Sequence, residues 1–143
     1  MKSSSIVILL AALIFVCNIW GWDLWAPDEP FFGEGAREML VDGHWLVPHI
    51  NGVVNTHKPP LFFWLIAVFS WPFGQVLSLT ARLPSVLAAL GTVMITLRMG
   101  RQMATERTAV LAAFMLATSL MFWDKAHTAQ IDALLCCLIW VSL

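Results

Sequence analysis

Four long apolar runs, residues 6–22, 80–97, 109–123 and 131–143, limit what this chain can fold into. Runs of this length and composition read as membrane-crossing helices. The last holds about a dozen residues, too few to cross, so the chain is expected to be a piece of a longer protein. The expected fold class is an all-α polytopic membrane protein with about four spans, the fourth incomplete. Composition agrees: 59% of residues are hydrophobic, 12% are charged, and mean hydropathy is +0.79. Trp20, Trp22, Trp25, Trp45, Trp64, Trp71 and Trp123 fall near the ends of apolar runs, the depth that indole rings prefer at a bilayer. A net charge of −1 without a basic patch excludes a nucleic-acid partner. Cys17, Cys136 and Cys137 all lie inside apolar runs and read as small buried hydrophobes rather than disulfide or metal chemistry.

Charge placement orients these spans. Lys2 precedes the first run, and no small-x-small cleavage site follows it, so an uncleaved helix with Lys2 on the cytoplasmic side is expected. Residues 61–73 form an apolar run of about thirteen residues, opened by Pro59-Pro60 and closed by Pro72 and Gly74. That is too short to span and reads as interfacial or re-entrant. The helix over 80–97 then returns to the cytoplasm, which places Arg98, Arg101 and Arg107 in a short cytoplasmic turn. Two polar stretches, 23–74 and 124–132, are thereby expected on one external surface.

The first of these is the chemically rich part. From Asp23 to Trp64 it gathers six acidic residues, three of the four histidines, Arg37 and Lys58. Asp28 is placed as a helix N-cap, with Pro30 in the first turn. Phe31, Phe32, Ala36, Met39 and Leu40 recur at helical spacing while Glu34, Arg37 and Glu38 take the other face, and Gly43 ends the helix. A helix of this length and charge is expected to lie along the interface. Asn51-Gly52 marks a tight turn. In the second stretch Asp132 stands directly before an apolar run; a carboxylate at the mouth of a spanning helix is costly unless it faces protein or water, which makes it a functional candidate.

The blocks PDEPFFGEGAREML, WLVPHINGV, HKPPLFFWL and QIDALL, in this order and spacing, resemble the N-terminal region of the PMT/ArnT-like membrane glycosyltransferases. These comprise the dolichyl-phosphate-mannose protein mannosyltransferases and the bacterial aminoarabinose transferases that act on lipid A. The resemblance covers nearly the whole chain. It implies a GT-C type transmembrane helix bundle whose first external loop carries the acidic motif. It also implies a polyprenyl-phosphate sugar donor, a lipid, protein or glycan acceptor, and a multi-pass location in a bacterial inner membrane with the site facing outward. By position Asp28 and Glu29 match the family's acidic pair, Lys58 a base near the donor phosphate, and Asp132 the second acidic position. Relatives often carry Glu where this chain has His57, which leaves open a metal role there; Asp28 and His57 are the candidate ligands for a possible divalent ion. This stretch alone, with four partial spans, is expected to be inactive.

A sugar on a lipid phosphate is already activated, because the phosphate departs as a stable anion. Such an enzyme needs a carboxylate to take the acceptor proton and fixed cations to neutralise the leaving phosphate in a water-poor site. Asp28 is the candidate base, with Glu29 orienting it or binding acceptor. Lys58, Arg37 and Arg82 are the candidate phosphate contacts. Each residue also has a plainer role open to it. Asp28 can be a cap worth about 1 kcal/mol, Arg37 can pair with Glu34 or Glu38, Lys58 can snorkel to headgroups, and Arg82 can anchor its helix at the outer surface. The rival function is a non-enzymatic scaffold or transporter piece whose acidic loop binds a partner or ion.

Overall fold

A computed structural model describes residues 2–142. Leu143, at the end of the fourth apolar run, and the Lys2 side chain, on which the expected orientation leans, lie outside what is described. Seven α-helices, one short hairpin and one 3-10 turn follow in order: α1 Lys2–Val16, α2 Asp28–Asp42, strands β1 His49–Ile50 and β2 Val53–Val54, α3 Leu61–Ser70, the 3-10 turn Trp71–Phe73, α4 Ser78–Met103, α5 Glu106–Thr118, α6 Leu120–His127 and α7 Ile131–Ser142.

The first helix stops at Val16 rather than Trp22. Asn18 adopts a left-handed backbone at φ 68°, a conformation that a short polar side chain tolerates and that ends a helix. A turn closed by Gly21 N–H to Asn18 O at 3.1 Å then leads into the polar loop.

Within that loop α2 lays its apolar stripe on α3. Phe32, Ala36 and Met39 are buried against Phe62, Phe63 and Ile66, with Phe32 edge-on to Phe62 at 4.9 Å between ring centres. The helices come so close at Gly35 that a Cβ there would lie 2.5 Å from Phe63 Cε1. Gly43, at φ 75°, terminates α2 as a left-handed cap. Beyond it Asn51 and Gly52 take φ 53° and 75°, the turn that a two-residue hairpin needs, and pair His49 with Val54 and Ile50 with Val53. The buried Glu38 carboxylate accepts the Gly52 N–H at 3.0 Å and ties the hairpin to α2.

A second core joins the long helices. Val7, Ala11 and Phe15 of α1 pack with Val86, Ala89 and Val93 of α4 and with Ala113 and Ala117 of α5. Helix α4, with 26 residues and a mean hydropathy of 1.5 over its best window, is long and apolar enough to cross a membrane; α5 and α6 qualify only as one pair, bent by 63°. The apolar run over 109–123, expected as a span, is not one continuous helix. Ser119 has extended backbone, φ −64° and ψ 124°, so the helix breaks there, and residues 124–127 are the last turn of α6 rather than a loop tip. The arginine turn is also shorter than expected. Arg98 and Arg101 continue α4, Arg107 belongs to α5, and only Ala104 and Thr105 connect them. There Glu106 accepts Arg101 Nε at 2.6 Å and Ser4 Oγ at 2.6 Å, clamping the ends of α4 and α5 to the start of α1.

Candidate active site

At the other end of α4, one buried ion pair organises the polar loop. Arg82 and Glu29 are 1% and 2% exposed. A guanidinium has five N–H donors and a carboxylate about four lone-pair positions, and here all are matched. Arg82 Nε and Nη2 donate to Glu29 Oε1 and Oε2 at 2.7 and 2.8 Å. Its other N–H groups meet the carbonyls of Ile19, Trp22 and Asp23 at 2.7, 3.1 and 3.1 Å. Glu29 also accepts the backbone N–H of Trp25 at 2.8 Å and of Ala129 at 2.7 Å. Burial alone would raise the Glu29 carboxyl. The hydrogen bonds from Arg82, Trp25 and Ala129, with the guanidinium charge, outweigh it and hold the group below its ordinary range. Both side chains are thus saturated by protein, so neither offers a free donor or acceptor to a substrate.

This knot fixes where the adjacent carboxylate points. Asp28 is the first residue of α2, not its cap: the cap position is Pro27, and no side-chain cap bond forms. Instead Asp28 Oδ2 accepts Gln130 Nε2 at 3.1 Å, and Gln130 Oε1 accepts Lys125 Nζ at 2.6 Å. The loop and the 124–132 stretch, a hundred residues apart, are therefore joined through both Asp28 and Glu29. Asp132 is exposed in the first turn of α7 and lines a 270 Å³ cleft with Lys125, Phe122 and Cys136. Asp28 is thus bonded to Gln130, while Asp132 shares a cleft with Lys125.

The expected cations separate. Lys58 Nζ stands over the Phe32 ring, 5.9 Å from its centre, and among the described residues it has no carboxylate partner. Phe32 lies one helical turn after Asp28 on the same face of α2, so Lys58 is held on the carboxylate's side. Arg37 is not: nine residues beyond Asp28, it points about 180° round the helix. It forks onto Glu34 at 2.7 and 2.9 Å and is half exposed. Arg82 is committed to Glu29 and three carbonyls, as described.

His57 is exposed, and among the described residues no three His, Cys, Asp or Glu side chains converge to hold a metal ion. Asp28 with His57 does not make a donor set for a divalent ion by itself. A further 360 Å³ cleft, lined by Trp22, Trp25, Trp123 and His127, lies on the Glu29–Arg82 side, and Asp28 does not line it. Gln130 and Lys125 were not singled out from the sequence. Nothing local marks them, because their partner is Asp28.

Comparison with known proteins decides the family. A sequence profile of the dolichyl-phosphate-mannose-protein mannosyltransferase family matches residues 57–143. The chain belongs to that family. Among its relatives is the undecaprenyl phosphate-α-4-amino-4-deoxy-L-arabinose arabinosyl transferase of Pectobacterium carotovorum, 31% identical over 97% of this chain and 25% of the relative. The Pectobacterium atrosepticum protein of the same name is 29% identical over the same shares. The fold matches the crystal structure of ArnT from Cupriavidus metallidurans bound to undecaprenyl phosphate, with a TM-score of 0.87 and 24% identity, over 95% of this chain and 25% of that one. The chain thus spans about a quarter of the length of these relatives, and its α1–α7 arrangement is that of the corresponding quarter of the family fold.

Proposed function

We propose that the chain is the donor-facing part of a membrane glycosyltransferase that moves a sugar from a polyprenyl-phosphate carrier to a lipid A-like, protein or glycan acceptor. In this reading α1, α4 and the bent α5–α6 pair lie across a bacterial inner membrane with α7 entering it, and α2, the hairpin and α3 lie at its outer face. Family membership supports the reaction class, and the undecaprenyl phosphate donor for which the relatives are named supports the carrier. The observation that carries it is local: Asp28 keeps one oxygen unpaired among the described residues, on the α2 face that holds an unpaired Lys58.

The chemistry follows from those two groups. The acceptor hydroxyl gives its proton to Asp28 as its oxygen bonds the anomeric carbon. The bond from that carbon to the phosphate oxygen breaks, and its electron pair leaves with the phosphate. Lys58 neutralises the charge that builds there. Displacement from the opposite side inverts the anomeric centre. Asp132 supplies the second carboxylate beyond Lys125. Glu29 and Arg82 hold α2 so that Asp28 faces this space, and Arg37 serves the helix surface through Glu34.

Asp28→Asn in the full-length enzyme tests the reading. Asn keeps the size and an oxygen for Gln130 but cannot take a proton. Turnover is expected to fall by about 10²-fold or more, at unchanged membrane insertion. Turnover near wild type removes Asp28 as the base.

A further inference from the structure

We propose that Lys125 and Gln130 form a two-link relay that positions the Asp28 carboxylate, and this rests on the base role given to Asp28 above. The direction of the relay follows from donor chemistry. A lysine ammonium only donates, so the Gln130 amide oxygen has to face Lys125, where it lies 2.6 Å from Nζ. The amide –NH₂ must then face the other way, and there it meets Asp28 Oδ2 at 3.1 Å. An ionised carboxylate only accepts, so the three groups fit in one sense alone, Lys125 to Gln130 to Asp28.

The middle link is itself held rigidly. The Gln130 carbonyl accepts Ser85 Oγ of α4 at 3.0 Å, and its N–H donates to Thr128 O at 2.9 Å. The preceding residue, Ala129, is buried and gives its N–H to Glu29. The backbone at 129–130 is therefore tied to both α2 and α4, and a side chain rooted there has little freedom. Lys125 is 30% exposed and lies 3.6 Å from Asp124 Oδ2, a longer contact than the one it makes with Gln130.

Two consequences follow for Asp28. Tying Oδ2 fixes the plane of the carboxylate and leaves Oδ1 for an incoming hydroxyl. The positive charge of Lys125 polarises the carboxylate through a neutral amide instead of meeting it directly, so the base is oriented without being locked into an ion pair. Gln130 and Lys125 are positioning residues, since neither touches the reacting atoms.

The test uses the full-length enzyme in membranes, with undecaprenyl phosphate-α-4-amino-4-deoxy-L-arabinose as donor probe and lipid A as acceptor. Gln130→Met keeps length and removes both polar ends. It is expected to lower kcat by about tenfold while the donor KM stays within about twofold, the pattern of lost alignment rather than lost binding. Lys125→Met should give a smaller fall in kcat, most of it recovered by Lys125→Arg. The deciding variant is Asp28→Asn with Gln130→Met, expected to be no slower than Asp28→Asn alone, because Gln130 acts only through Asp28. Unchanged kcat in Gln130→Met, or losses that multiply in the double variant, overturns the relay. If Gln130→Met fails to insert, Lys125→Met with and without Asp28→Asn gives the same cycle at a partly exposed position. Wild-type turnover that survives Asp28→Asn, or no wild-type turnover on this donor, overturns the base reading itself. A fall in Asp28→Asn with none in Gln130→Met overturns the relay alone.

Discussion

Lys58 and Arg37 are both cations of the polar loop, and their surroundings part them. Lys58 packs its ammonium over an aromatic face and among the described residues has no anion to neutralise it, whereas Arg37 already has a carboxylate fork. A bound phosphate would gain a charge-assisted bond at Lys58 without breaking one first. In the full-length enzyme Lys58→Ala is expected to reduce kcat/KM for the polyprenyl-phosphate donor by about 10- to 100-fold, the scale of one hydrogen bond to a charged group, with partial recovery in Lys58→Arg. Steady-state kinetics at varied donor concentration check this, and an unaltered kcat/KM in Lys58→Ala would reduce the residue to a surface anchor.

The attitude of α2 as an element is set at two points along its length. From Phe32 through Ala36 to Met39 its apolar stripe docks on α3, contacts that resist separation but allow sliding. At its first turn Glu29 meets Arg82 and Ala129 with directional bonds that do not. Arg82→Met would leave a buried carboxylate without its cation, and a cost of about 3–5 kcal/mol is expected, measurable as a lowered Tm of the detergent-solubilised protein. The pH dependence has a definite sign. The folded Glu29 carboxyl titrates below its ordinary value of 4.5, so the unfolded chain binds more protons in that range. Stability from the pair is fully present above that value and is lost as pH falls through the folded value. Thermal unfolding between neutral pH and pH 3 should show this acid loss in the wild type and a flatter profile in Arg82→Met. Equal slopes in the two proteins would mean that the pair is not the source.

Across the whole molecule the two polar clusters sit at opposite ends of α4, a helix of 26 residues, or about 39 Å at 1.5 Å per residue. One end carries the Glu29–Arg82 knot and the hairpin. The other carries Ser4, Arg101 and Glu106. Arg82 and Arg101, nineteen residues apart along α4, are separated by about 28 Å, close to the thickness of a bilayer core. Single cysteines at Thr56 and Asp124, both exposed, are expected to react with an impermeant thiol reagent from the outer face, and one at exposed Gln102 only after the membrane is opened. Positions 56 and 124 labelling from opposite sides would break the shared site, since Asp28 and Gln130 could not then meet.

Much of this architecture is legible without coordinates, because it depends on local chemistry. Apolar runs mark α1, α4, α5 and α7; the stripe from Phe31 to Leu40 gives α2 its buried face; Gly43 and Asn51-Gly52 are residue types that take up positive φ at low cost. Asp28, Lys58 and Asp132 stand out as charges beside hydrocarbon, and the four sequence blocks point to the family. What escaped was non-local. The break at Ser119 and the stop at Asn18 lie within apolar runs, where composition does not distinguish a bent helix from a straight one. That Glu29 is a structural keystone while its neighbour Asp28 keeps an oxygen free depends on Arg82, 53 residues away, and on Gln130, 102 residues from Asp28. Adjacent carboxylates look alike in a sequence. Only packing decides which of them is saturated by buried donors and which keeps an oxygen free.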